Sequence, residues 1–207
     1  MSTTELIAAD LFLLLTGETG RPYKTQVRRQ ALVAAAVADL RDRGLVEIGG
    51  GRNPQVSAPA LGRAEHPALA VVQGAIRKKG PRAMSRTVQD RKADPTGQIT
   101  RAFEAQGVIE RRGGIFGATW PTRDPAPREA VLTRLTRALE HPEDSTGADR
   151  ELLQLLWGVR AAPAVLNGRT SLGRWDLMRR IEHLQEVSPT ARAARRAHDQ
   201  MTVAVVG

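Results

Sequence analysis

The chain contains no cysteine, which excludes disulfides, thiolate metal sites and cysteine nucleophiles and fits a reducing compartment. Aromatic residues are nearly as scarce, at 3% of 207 positions. A core must therefore be filled with Leu, Val, Ile and Ala, for which a hydrophobic content of 41% suffices. Long apolar runs are missing too. The longest, Leu11 to Leu15 within LIAADLFLLL, is far too short to cross a bilayer, and it has no basic region ahead of it and no small-residue cleavage site behind. The expectation is a globular domain with neither anchor nor signal peptide. The four histidines, His66, His141, His183 and His198, are scattered without metal-ligand spacing. No nucleophile elbow, P-loop or dinucleotide fingerprint occurs, because the glycines of GETG (17–20) and GGGRNP (49–54) lack the lysine or the strand-to-helix setting those motifs need. No enzymatic activity, cofactor or metal is expected.

Negative charge is in deficit. Lys and Arg number 31 against 22 Asp and Glu, a net charge of +9 and a pI near 11.1. That balance favours a polyanionic partner, either nucleic acid or an anionic membrane surface. An Arg- and Ala-rich composition also arises from codon bias alone.

The patterning is mainly helical. Ser2-Thr-Thr-Glu5 matches a capping box ahead of a helix over roughly 5–15. Residues 24–43 lack breakers and are almost wholly apolar from Ala31 to Ala38, which predicts a central helix buried on most sides and stopped by Gly44. LVEI (45–48) and a second extended piece near 55–57 flank GGGRNP as a hairpin. Helical patterns follow at about 68–79, 83–92 and 96–106. Val131, Leu132, Leu135, Ala138 and Leu139 fall on one face of the next helix. Three further helical segments complete a bundle-like domain over 1–166 with a helical extension of the same domain over 167–207. Trp157 is expected in the core, and Trp175 against a helix face with Leu172 and Met178.

AVADLRDRGLVEI (36–48) and RAFEAQGVIER (101–111) repeat one theme: helix, Gly, then a short β segment carrying a Glu. Glu47 and Glu110 read as exposed strand positions rather than a carboxylate pair. Helix, turn, strand and strand is how a winged helix ends, so a nucleic-acid-binding regulator is the alternative function. Against it, the helix before the first hairpin is too apolar for a groove.

The main hairpin lies near 108–120. In ERRGGIFGATW, Ile115 and Phe116 sit between turn-forming glycines with Arg111 and Arg112 behind them. Such a tip suits a membrane interface, where the apolar pair enters the acyl boundary and each arginine gains about 1 kcal/mol near an anionic leaflet. Equally, the turn can lie at Arg112-Gly113-Gly114, with Ile115 and Phe116 as strand residues packed into the core. A second basic concentration comprises Arg77, Lys78, Lys79, Arg82, Arg86, Arg91 and Lys92, opposed within that segment by Asp90. It reads as a surface for phosphate groups or as the solvated face of two short helices. It has no interleaved aromatics, which argues against a single-stranded nucleic-acid platform.

LFLLLTGETGRPY, the Ala-rich helix ending DLRDRGLVEI, FEAQGVIERRGGIFGATWP with TRDP, and LLQLLWGVRAAPAVL together resemble the Golgi phosphoprotein 3 family, which includes bacterial members of unassigned role. The resemblance implies a mainly α-helical fold with a prominent β-hairpin. It also implies a cytoplasmic, peripheral membrane protein that binds phosphatidylinositol 4-phosphate, serves as an adaptor for protein clients, and uses the hairpin at the membrane and in homo-oligomer contacts. In register on Gly44 and Gly107, the family's head-group tryptophan and arginine fall on Lys24 and Val33, and its arginine pair on Ala93 and Thr96. Arg28, Arg29, Arg91 and Lys92 lie close enough in sequence to substitute. The expectation is therefore a basic surface that attracts anionic head groups by charge.

Overall fold

The run from Ala31 to Leu40 sets the architecture. Eight of its residues are Ala or Val, or Leu32, whose small or compact side chains let neighbouring helices approach closely, and burial on every side is the only way to remove so much apolar surface from water. In the computed structural model, which describes residues 6–23, 27–51, 53–113, 119–184 and 186–206, this run forms the middle of α2 (Arg28–Asp42), and all ten residues from Ala31 to Leu40 are buried. Five helices pack around it: α1 (Ile7–Leu14), α3 (Pro67–Lys79), α4 (Met84–Gln89), α7 (Gly147–Gly158) and α10 (Pro189–Val206). Against α1 lie α5 (Thr96–Ala105) and α6 (Ala126–Glu140), while α8 (Ala162–Val165) and α9 (Arg174–His183) flank α7. One hydrophobic cluster runs from Leu6 to Ala197, and the apolar face of α6 enters it at Val131, Leu132, Leu135, Ala138 and Leu139, as the periodicity predicts.

The proposed capping box at Ser2–Glu5 lies outside the described residues. What caps α1 is distant in sequence. Asp39, in the middle of α2, accepts hydrogen bonds from the backbone N–H groups of Ile7 and Ala8, each at 3.0 Å. A carboxylate at a helix N-terminus satisfies orphan donors and meets the positive end of the helix dipole. Burial pushes its carboxyl up to about 7, against the pull of those two N–H donors and of Arg43.

Two more polar ties fix helices to one another. Arg134 of α6 reaches Asp10 of α1 at 2.6 Å and also pairs with Asp149 of α7. Glu151 of α7 accepts from Ser188 at 2.7 Å and from Thr190, holding the start of α10. His66 accepts from the N–H of Ala68 at 3.2 Å and so caps α3.

The two repeated segments share a physical cause. Gly44 and Gly107 both take left-handed φ, +66° and +72°. Each lets the following residue bond back into the helix, Leu45 N–H to Leu40 O at 2.8 Å and Val108 N–H to Phe103 O at 2.9 Å. This is a helix-ending motif that favours glycine. It explains the echo without a winged helix, and α2 offers no free face between residues 31 and 40 to lay in a groove.

The first hairpin forms as expected. In it β1 (Glu47–Ile48) pairs antiparallel with β2 (Gln55–Ser57), Glu47 opposite Ser57. A third strand, β3 (Arg82–Ala83), adds to the far side of β2, with Val56 opposite Arg82. The stretch read as one helix over 83–92 divides into α4 and a 3-10 turn at Arg91–Ala93, because Asp90 breaks the helix and caps the turn through Lys92 N–H at 2.9 Å. The main hairpin is held by bridges at Ile109–Thr122 and Arg112–Thr119, and its tip, with Ile115 and Phe116, lies outside the described residues. Trp175 departs from expectation. It is 79% exposed, because α9 turns Leu177 and Ile181 inward and leaves the preceding indole on the opposite side. Trp157 is half-buried against the core rather than within it.

Candidate functional site

Arg28 opens α2, and its guanidinium is held between aromatic rings from two other parts of the chain. Its carbon lies 5.4 Å from the Phe12 ring centroid and 5.6 Å from that of Trp120, and Nη1 donates to Thr16 Oγ1 at 3.4 Å. A cation over an aromatic face gains about 0.5–2 kcal/mol, more as water is removed. Burial lowers the Arg28 pKa, and the nearby negative charge of Asp94 opposes that shift.

Trp120 reaches this position because the base of the main hairpin docks on the loop after α1. Trp120 N–H bonds to Gly20 O at 3.3 Å and Thr122 N–H to Glu18 O at 3.1 Å. Gly20 is required there. Its φ is +77°, and a Cβ would stand 2.2 Å from the backbone of Trp120 and Pro121. The glycines of GETG thus serve a backbone contact, and their link to Trp120 spans too much sequence for any local pattern to reveal it.

The remaining basic residues divide by partner. Arg29 donates to the carbonyl of Gln89 at 3.2 Å, which ties the first turn of α2 to the end of α4 and brings it beside Arg91 and Lys92. Arg82 pairs with Asp90 at 2.7 Å, both largely buried. The Lys92 N–H bond foremost, then Arg82, hold the Asp90 carboxyl below its ordinary value, and Lys79 adds to the effect. Arg77 turns away from this group. Its Nη2 donates to the carbonyls of Pro59 at 2.9 Å and of Gly62, which fixes the 59–62 loop. Lys78, Lys79, Arg86, Arg91 and Lys92 are exposed. On the hairpin Arg111 and Arg112 are exposed, and Glu110 pairs with Arg123 at 3.2 Å and Arg112 at 3.4 Å, which hold its carboxyl below the usual range, Arg123 most.

The result is a cationic region in which the N-terminus of α2, the α4–α5 connection and the base of the main hairpin meet. Lys79 and Arg82 flank it through Asp90. Two of the positions that register with the family's head-group residues are withdrawn from its surface. Val33 and Ala93 are fully buried, Thr96 donates to Asp94 Oδ1 at 2.5 Å, and Lys24 lies outside the described residues. Among the described residues, no three His, Asp or Glu side chains form a group fit to hold a metal ion, and no helix is long and apolar enough to cross a membrane.

No curated protein matches the sequence. The model of the Golgi phosphoprotein 3 (GPP34) family matches residues 7–201, nearly the whole chain, and the chain belongs to that family.

Proposed function

We propose that the protein is a non-catalytic, cytoplasmic adaptor that associates peripherally with membranes by binding anionic lipid head groups. The observation that carries this reading is the convergence of Arg28, Arg29, Arg91 and Lys92 where α2, the α4–α5 connection and the main hairpin meet. Family membership supports the adaptor role. Exposed Lys78, Lys79 and Arg86 extend the same charge, while Arg82 flanks it through Asp90 and Arg77 is engaged with the 59–62 loop. On the hairpin, Arg111 and Arg112 meet the head groups and Ile115 and Phe116 enter the acyl boundary. Protein clients and a homo-oligomer through the hairpin complete the proposal.

With Val33 and Ala93 in the core, nothing bidentate stands at the family's phosphoinositide positions. Binding then follows total negative charge rather than lipid identity, and it weakens as salt shortens the Debye length. Co-sedimentation with liposomes of matched charge, made with phosphatidylserine or phosphatidylinositol 4-phosphate, tests this beside neutral liposomes and a DNA gel shift. The expected result is similar binding to both anionic liposomes and none to neutral ones. Replacing Arg86, Arg91 and Lys92 together by Ala should cost about 3 kcal/mol at low salt, at about 1 kcal/mol per membrane-facing cation. Preference for DNA with a steep salt slope would overturn the membrane reading, and about a tenfold preference for the phosphoinositide would overturn the charge-only part of it.

A further inference from the structure

A second concentration of arginine lies away from the hairpin, and it owes its shape to one close contact. A Cβ on Gly158, at the end of α7, would come within 2.8 Å of the Ala191 carbonyl oxygen, so glycine there lets α10 lie directly on α7. The approach sets the Arg195 guanidinium 5.1 Å from the Trp157 ring centroid. The chain then leaves α7 through Arg160, the single non-glycine residue with left-handed φ (55°) among those described. Ala161 N–H bonds back to Leu156 O at 2.9 Å, the same helix ending seen at Gly44 and Gly107, but with arginine where the backbone favours glycine. A strained position occupied by a long cationic side chain is an outlier that calls for a function.

Arg160 lines a cleft of about 550 Å³ whose other wall is α9, with Arg174, Trp175, Arg179 and Glu182. That volume lies in the range of small-molecule sites. Four guanidiniums, counting Arg195, face one carboxylate. Arg179 and Arg195 have ion-pair partners in Asp176 and Asp199, at 3.5 and 3.3 Å. Arg160 and Arg174 have no carboxylate within ion-pair distance among the described residues, although both are exposed and their fork geometry suits bidentate binding of phosphate. The Trp175 indole is 79% exposed at the edge of the same cleft. An indole left in water beside unpaired guanidiniums offers a flat apolar face next to an anion site.

We propose that this cleft between α7, α9 and α10 is a second binding site, and that it takes a small ligand of the mononucleotide class, a planar ring bearing a phosphate. The phosphate sits between Arg160 and Arg174, the ring stacks on Trp175, and the Glu182 carboxylate accepts from an N–H or O–H on the ring. The site shares no residue with the cationic region around Arg28, so either assignment can fail without the other.

The test is titration of the full chain with adenosine 5′-monophosphate, followed by tryptophan fluorescence and by calorimetry, with adenosine and inorganic phosphate as separate ligands. Saturable quenching by the monophosphate is expected, with adenosine and phosphate each binding at least about tenfold more weakly. Arg160→Gly relieves the left-handed strain, so it should lower affinity about tenfold or more while thermal stability stays the same or rises. Trp175→Leu should remove most of the quenching, and Arg91→Ala with Lys92→Ala should change neither affinity nor signal. The proposal is overturned by the absence of saturable binding up to about 1 mM, by unchanged affinity in Arg160→Gly, or by phosphate alone binding as tightly as the nucleotide. It is equally overturned if anionic vesicles, and not the monophosphate, engage Arg160 and Arg174.

Discussion

Replacing Asp39 by Ala tests the contact that joins the first helix to the central one. The Asp39 side chain is 2% exposed, and its two oxygens accept from Ile7 and Ala8, both buried, at 3.0 Å each. Alanine leaves two buried N–H groups unpaired, at about 1–3 kcal/mol apiece. Removing a buried carboxylate returns part of that cost. The net loss should be about 2–4 kcal/mol, which for a chain of this length lowers the melting temperature by roughly 5–15 °C. Because α1 carries Phe12, loosening it should also shift the emission of Trp120 across the Arg28 cradle.

Asp39→Asn isolates the charge. Burial holds the Asp39 carboxyl at about 7 in the fold against 3.8 ordinarily, so between those values the folded state retains a proton that the unfolded state has lost. Stability from this group is therefore full below about pH 4 and declines as pH rises to about 7, by at most about 1.4 kcal/mol per pH unit. Asparagine does not titrate. The advantage of the wild type over Asp39→Asn should shrink between pH 4.5 and 7.5, as measured by urea unfolding followed by circular dichroism at about three pH values across that window. A wild-type advantage that grows with pH, or an Asp39→Ala protein within about 0.5 kcal/mol of wild type, would refute the reasoning.

Gly20→Ala should destabilise by more than about 2 kcal/mol and open the hairpin base to protease, since the added carbon overlaps Trp120 and Pro121; unchanged cleavage between residues 108 and 122 would contradict the docking. Arg134→Met leaves Asp10 and Asp149 facing each other, both buried, and should cost about 3 kcal/mol at neutral pH. Burial already raises the Asp10 pKa, so the deficit should lessen on acidification, and a urea series down to about pH 4 checks it. Glu151→Gln weakens the hold on Ser188 and Thr190 and on Arg41, and hydrogen exchange should quicken at the start of α10 before it does in α2.

Where structure follows from local pattern, the sequence discloses it. The burial of α2 shows in ten residues with a single charge, the inward face of α6 in its spacing, and the helix ends at Gly44 and Gly107 in their glycines. The third strand is another matter. Two residues at Arg82–Ala83 carry no period, and they become a strand through pairing with β2, far back in the sequence. The candidate site divides in the same way. A run of basic residues is visible as charge, but that Arg77 is spent on the 59–62 loop and Arg82 on Asp90 depends on how α3 and β3 are placed. The aromatic seat of Arg28 joins three segments, and none of them carries a sign of the others. Trp175 misleads for a related reason, since spacing shows that Leu172 and Met178 share its helical neighbourhood but not which face of α9 meets the core.

The complete burial of residues 31–40 of α2 also governs how the protein can be made. Its walls come from residues as early as Ile7 and from α10, which begins only at Pro189. A chain leaving the ribosome from its N-terminus exposes the Ala31–Leu40 surface on one side until α10 has emerged, and a transiently uncovered apolar surface invites association with other chains. Thus α10 is a late-arriving wall of the central helix. A ribosome stalled, or a message cut, before Pro189 yields a polypeptide that contains most of the core residues and cannot hide them, which makes it a substrate for chaperones and proteases rather than a shorter working protein.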